Sequence, residues 1–173
     1  MLKVKRVITG DLEENCYIVE DDKYCLIVDP GSDFEKIDKE IKKEVLGVLI
    51  THRHDDHIGA LEEVIDKYKC QLFDYYSTDE ENYKVRTFNF KVINMPGHTE
   101  DSICFYFYED NIMFTGDFLF EGSIGRCDLG GSEEDMVKSI EKIKSFKEDI
   151  KIYPGHGNSS TLKEEFKSNI YLS

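Results

Sequence analysis

The sequence is short of positive charge. Its 173 residues hold 22 Lys and Arg against 36 Asp and Glu, a formal charge of −14, which works against long-range attraction to phosphate backbones or anionic lipid. A nucleic-acid partner is therefore not expected, and two bound divalent cations would offset only about four of those charges. Paired cysteine spacing is also missing. Cys16, Cys25, Cys70, Cys104 and Cys127 are odd in number, scattered and without a CxxC pair, which suits reduced thiols in a cytoplasm rather than a disulfide framework. No long apolar run occurs, and Met1–Arg6 alternates charged with apolar residues, so neither a signal peptide nor a membrane span is expected. Internal repeats and low-complexity stretches are absent too. What is present is a globular composition, 40% hydrophobic with 11 Phe and 10 Tyr beneath a 34% charged complement, of a length that suits one domain over residues 1–173.

Apolar and alternating runs predict strands near Leu2–Ile8, Cys16–Glu20, Tyr24–Val28, Gly47–Ile50, Gln71–Phe73, Thr87–Ile93, Ser102–Tyr108, Ile112–Thr115 and Ile150–Tyr153. Helical periodicity runs through Phe34–Lys42, Ala60–Lys69, Glu133–Ser145 and Leu162–Ser168. Ser32 with Glu35 has capping-box spacing, and Ser132 and Thr161 stand as N-caps before their helices. The order of elements is that of a mixed-sheet α+β protein with helices outside. Each of the three prolines precedes a glycine, in Asp29-Pro30-Gly31, Pro96-Gly97 and Pro154-Gly155, and these pairs mark turns.

The chemistry is concentrated in Thr51-His52-Arg53-His54-Asp55-Asp56-His57, which holds three of the five histidines. His52 and His54, two residues apart just past the Gly47–Ile50 run, would face the same side of an extended segment and reach one ion. Asp56 and His57, at the turn into a helix beginning near Ile58, would address a second position close by. Neutral imidazole and carboxylate suit zinc and similar first-row metals, and a catalytic site keeps a coordination position open for water. His98 and His156 directly follow Pro-Gly pairs, and Asp117 ends Phe114-Thr115-Gly116-Asp117. Each follows a strand-like run, and together they complete a two-metal site.

These residues resemble the metallo-β-lactamase fold superfamily and, within it, glyoxalase II-like proteins (hydroxyacylglutathione hydrolases). The resemblance spans about Val4 to His156 and implies a four-layer αβ/βα sandwich of two mixed sheets with outer helices. It also implies two divalent metal ions, zinc first with iron or manganese as alternatives. One would rest on His52, His54 and His98, the other on Asp56, His57 and His156, with Asp117 bridging and with Asp56 and Asp117 as the catalytic carboxylates. His57 looks like the hydrolase branches rather than the true β-lactamases. Asp29 matches a position that orients a metal ligand, or else simply starts a turn. Asn15 and Tyr17 resemble the family's N-terminal hairpin and read as structural. In Gly125-Arg126-Cys127-Asp128-Leu129-Gly130-Gly131, similar to a Gly-Arg-Thr-Asp loop of relatives, Cys127 replaces the Thr, and Leu129 meets Gly130 with no Pro between. Arg126 either contacts a substrate carboxylate, locks the loop, or pairs with Asp128.

The activity so implied is hydrolysis of a small-molecule thioester or ester by metal-activated water, whose pKa falls from about 15.7 toward about 7 on binding a metal. A thiol's conjugate-acid pKa of roughly 8.5 makes a thioester the natural substrate of a site without an evident general acid. Full-length glyoxalase II proteins add a helical C-terminal domain that supplies much of the glutathione site. This sequence ends 17 residues after His156, which predicts a different thioester or a looser hold. Two alternatives stand beside this one: a mononuclear iron persulfide dioxygenase using His52, His98 and Asp117, and a closed, non-catalytic metal-binding protein.

Overall fold

Strand β2, residues Glu14–Glu20, shows how the sequence divides itself between two cores. Tyr17 and Val19 join one buried cluster while Cys16 and Ile18 join another, because successive side chains of an extended strand leave by opposite faces. The computed structural model, which describes all residues from Met1 to Ser173, repeats this division throughout. One sheet carries β1 (Lys3–Thr9), β2, β3 (Tyr24–Val28), β4 (Glu44–Leu49) and β5 (Gln71–Phe73) in that order. Its first three strands pair antiparallel and its last three parallel. The second sheet is ordered β13 (Ser160–Thr161), β12 (Lys151–Pro154), β9 (Ile112–Gly116), β8 (Ile103–Phe107), β7 (Phe88–Asn94) and β6 (Asn82–Val85). There only β12 and β9 run parallel.

Between the sheets lies a core with six phenylalanines, Phe73, Phe88, Phe90, Phe105, Phe107 and Phe114. The outer face of the first sheet is covered by α1 (Phe34–Glu40) and α3 (Leu61–Tyr68), whose Ile37, Leu61 and Val64 join Cys16, Ile18 and Ile27. The second sheet is covered by α4 (Glu133–Ile143) and α5 (Leu162–Ser168) through Met136, Ile140, Ile143 and Leu162. Three cores between four layers make the sandwich that the resemblance implies. No helix is long and apolar enough to cross a membrane.

Several local expectations are corrected. The capping box at Ser32 does not form. Asp33, in the left-handed region at φ 53, precedes α1 and offers it no side-chain cap. Its carboxylate instead accepts the Gly10 N–H at 2.9 Å, and the Ser32 N–H goes to the Thr9 hydroxyl, so ties to the β1–β2 turn outcompete the local cap. Ser132 and Thr161 do cap, each accepting a backbone N–H three residues on at 3.2 Å. Asp56 and His57 do not sit at a turn before a helix starting at Ile58. They belong to a one-turn helix of their own, α2 (Asp55–Ile58), and the chain breaks at Gly59–Ala60 before α3 begins. Strands β6 and β13 and the small hairpin of β10 (Leu119–Phe120) and β11 (Ser123–Ile124) lie outside the strand-like runs of the sequence. Two-residue strands show no period, and β6 is an edge strand paired only with β7.

Candidate metal centre

Parallel strands bring their C-terminal ends to a common edge, and there the loops collect. Asp29 follows β3, His52 and His54 follow β4, His98 follows β7, Asp117 directly follows β9 and His156 follows β12. All seven residues expected to hold metal converge. Ligand atoms of His52, His54 and His98 form one group, and those of Asp56, His57, Asp117 and His156 a second, each within 4.8 Å internally. Asp117 reaches into both. Its Oδ2 is 3.6 Å from His98 Nε2 and 3.5 Å from His156 Nε2, while Oδ1 is 3.2 Å from His57 Nε2. Gly155 permits this closeness, since a Cβ there would lie 2.3 Å from Asp117 Oδ1 and 2.5 Å from His57 Cε1.

Each imidazole has a partner for its outward nitrogen. His98 Nδ1 donates to the Arg126 carbonyl at 2.7 Å, His156 Nδ1 to that of Leu12 at 3.1 Å and His54 Nε2 to that of Leu129 at 3.2 Å. A carbonyl can only accept, so these nitrogens carry the proton. His57 Nδ1 donates to Asp29 Oδ2 at 2.9 Å. His52 Nδ1 lies 3.2 Å from the Thr51 hydroxyl, whose own proton goes to Asp29 Oδ2 at 2.6 Å. In the neutral rings, protons held outward leave lone pairs inward, which is how metal-binding histidines are oriented. Asp29 is thus tied into the site it was expected to serve: it accepts from Thr51 N, Thr51 Oγ1 and His57 Nδ1 while holding φ at 48.

Such a donor set demands cations. His54 Nδ1 and His98 Nε2 stand 3.0 Å apart with their lone pairs toward each other. His52 Nε2, His57 Nε2 and Asp117 Oδ1 are buried without any hydrogen-bond partner, a cost that natural interiors rarely carry without a purpose. Burial works to strip charge from His57 and His156, yet the carboxylates of Asp117, Asp29 and Asp56 outweigh it. They hold His57 well above the ordinary imidazole value and His156 at about 10. In return these histidines keep Asp117 and Asp56 below the usual carboxylate range against the opposing effect of burial. His52 and His98 go the other way, pushed down chiefly by burial. Imidazole nitrogens and carboxylate oxygens fit a divalent first-row metal.

Arg126 turns its guanidinium away from this centre. Its Nε donates to Asp128 Oδ1 at 2.6 Å in an exposed pair, while its carbonyl holds His98. Asn15 and Tyr17 support the loop of His156: the Asn15 amide donates to the Pro154 and Gly157 carbonyls, and the Tyr17 hydroxyl to that of Pro154. Three carbonyls, those of Leu12, Arg126 and Leu129, escaped the sequence reading, because a backbone acceptor has no signature in residue type. Glu14 escaped it as well. It is 1% exposed behind His57, and burial pushes its carboxyl up to about 9.

The family model of the metallo-beta-lactamase superfamily matches residues 9–81 and 74–156. The chain is 30% identical to a probable metallo-hydrolase, YqgX of Bacillus subtilis, over 99% of this chain and 98% of that one. It is 29% identical to the hydroxyacylglutathione hydrolase GloC of Haemophilus influenzae over 93% of both. Among solved structures, that of the B3 metallo-beta-lactamase BLEG-1 superposes with a TM-score of 0.94 at 30% identity, over 99% of this chain and 100% of that one. With its two His and Asp clusters, its paired mixed sheets and hydrolases among its relatives, the chain belongs to the metallo-beta-lactamase superfamily as a metal-dependent hydrolase.

Proposed function

We propose that the protein hydrolyses a thioester of the hydroxyacylglutathione type at a binuclear centre. One observation carries the choice of thioester: once His57 and His156 give their inward nitrogens to a metal, no inward side chain is left to protonate a leaving group. Asp56 and Asp117 are carboxylates, and the neutral acid, Glu14, faces the outward Nδ1 of His57 from 3.7 Å, on the far side of that ring from the inward Nε2. A leaving group must then depart as an anion, which a thiolate does readily. GloC, a hydroxyacylglutathione hydrolase, is similar over 93% of both chains, and this similarity supports a glutathione thioester.

His52, His54 and His98 would hold one metal, and Asp56, His57 and His156 the other, with Asp117 shared. Zinc fits the donors best, with iron or manganese as alternatives. Metal ions at these positions would make water acidic enough to attack at neutral pH and would polarise the substrate carbonyl. Asp117 and Asp56 accept hydrogen bonds from the attacking water and aim it at the acyl carbon. As the carbon–oxygen bond forms and the carbon–sulfur bond breaks, the water's proton passes by way of Asp56, 21% exposed at its side chain, to solvent. Asp29 fixes the tautomers of His57 and, through Thr51, of His52. Arg126 serves as a loop lock through its carbonyl and its pair with Asp128. All five cysteines are free thiols, in keeping with a cytoplasmic location.

Elemental analysis coupled to a substrate panel tests the proposal. S-lactoylglutathione and simple acyl thioesters should be cleaved at least about tenfold faster than matching oxygen esters. Protein loaded with two metals but inactive on every thioester would refute it. A β-lactam belongs in the panel because of the likeness to BLEG-1. A mononuclear iron persulfide dioxygenase would need only His52, His98 and Asp117; one iron per chain with oxygen uptake on glutathione persulfide would establish that reading instead.

A further inference from the structure

Glu14, the first residue of β2, is 1% exposed and lies beside His57 and His156, two of the residues assigned to the second metal position. Its backbone forms an isolated antiparallel bridge with His156, and the N–H of the next residue, Asn15, donates to the Gly155 carbonyl at 2.7 Å. Its side chain lies behind His57: Oε2 accepts the Thr9 hydroxyl at 2.9 Å, and Oε1 stands 3.7 Å from His57 Nδ1. Gly31 fills the remaining gap. A Cβ on Gly31 would come within 2.3 Å of Glu14 Oε2 and 1.9 Å of the Asp56 carbonyl oxygen, so Gly31 lets the chain pass between the carboxyl and the backbone that carries Asp56. Glu14 makes no hydrogen bond to His52, His54 or His98.

A purely space-filling role would not call for a carboxyl here. Oε1 is buried without a hydrogen-bond partner, which costs free energy that a leucine of similar size would avoid. Oε1 is the atom that faces His57, and Thr9 anchors the opposite oxygen so as to point it there. We propose that Glu14 is a positioning residue dedicated to the second metal position, holding His57 and His156 in the mutual orientation that a cation on Asp56, His57 and His156 requires. This rests on the two-position reading of the centre. Residues behind metal-binding histidines typically govern affinity by about 10- to 100-fold, and Glu14 does so for one position only.

Zinc titration of chelator-stripped protein against a competing indicator reads the two equivalents separately, and cobalt spectra report the environment of each. In Glu14→Leu the second equivalent should bind about 10- to 100-fold more weakly while the first stays within about twofold. Glu14→Gln, which keeps an oxygen and the Thr9 anchor, should restore most of the loss. Thr9→Val, which frees the carboxyl while leaving it in place, should weaken the second equivalent severalfold. Equal weakening of both equivalents, or none, in Glu14→Leu overturns the assignment. If that variant does not fold, an unchanged second equivalent in Thr9→Val overturns it. Wild-type protein that binds a single equivalent refutes the two-position reading itself, whereas two wild-type equivalents indifferent to Glu14 refute only the role of this residue.

Discussion

Asp29 ties His57 directly, and His52 through Thr51, to one carboxylate. It accepts three bonds on two oxygens, from Thr51 N, Thr51 Oγ1 and His57 Nδ1, and does so from φ 48, a conformation that non-glycine residues hold only when their surroundings enforce it. An asparagine would keep the size but present an N–H₂ group to at least one donor. If that group meets His57, the imidazole loses its acceptor and its inward lone pair is no longer assured. Asp29→Asn should therefore lower affinity for the second metal by about 10- to 100-fold, with a parallel fall in kcat/KM at limiting metal that saturating metal partly restores. Titrating activity against free zinc checks this, and an unchanged metal requirement would show that Asp29 only shapes its turn. Residue type announced Asp29 as a candidate. The triple acceptance that distinguishes a ligand-orienting carboxylate from an ordinary turn aspartate appears only when β3, β4 and α2 are brought together.

Helix α4 illustrates how a secondary-structure element reaches into the site without supplying a ligand. Its cap, Ser132, accepts the Asp135 N–H through its side chain and donates its own N–H to the Gly97 carbonyl at 2.9 Å, directly before His98. Ser132→Ala should cost about 1 kcal/mol of stability, and the first metal should loosen with it. Ser32 has the same sequence signature ahead of α1 but no capping bond. Ser32→Ala should stay within about 0.5 kcal/mol, as for a surface substitution away from special features. Urea denaturation of the two metal-free variants side by side distinguishes them, and equal losses would mean that the spacing rule, rather than the observed geometry, governs both helices. Ser132 and Ser32 differ because a cap competes with whatever else its neighbours can bond. At α1 the β1–β2 turn wins that competition, and sequence spacing carries no trace of it.

At the scale of the whole molecule the two sheets meet through aromatic rings, and the metal centre sits at the edge where they close. Phe90, fully buried, has the rings of Phe73, Phe105 and Phe107 at 5.3 to 5.9 Å, the first of these from the opposite sheet. Phe90→Ala should destabilise the protein by about 3 to 5 kcal/mol, read as a fall in the thermal midpoint of both metal-free and metal-loaded protein. Bound metal should raise that midpoint by mass action in either variant. The formal charge of −14 would set a repulsive field against anionic substrates approaching a metal-loaded centre. Raising ionic strength from about 20 to about 200 mM shortens the screening length and should increase kcat/KM severalfold for an anionic glutathione thioester while leaving a neutral thioester nearly unchanged. Equal responses of the two substrates would place the charge too far from the mouth to matter.

The sequence by itself determined the chemistry of the centre. The run from His52 to His57, with His98, Asp117 and His156 after their strand-like runs, could be read because side-chain type and short spacing are local properties. The long strands and the main helices were legible for the same reason, since a period of two or of 3.6 is written into consecutive residues. Only the tertiary structure decided which nitrogen of each histidine faces inward, because the acceptors that settle it are the carbonyls of Leu12, Arg126 and Leu129 and the distant carboxylate of Asp29. Tertiary structure also decided that Glu14 lies behind His57 rather than in solvent, and that the Arg126 guanidinium points at Asp128. Burial and backbone hydrogen bonds arise between segments more than a hundred residues apart, such as Leu12 and His156, and no local pattern records them.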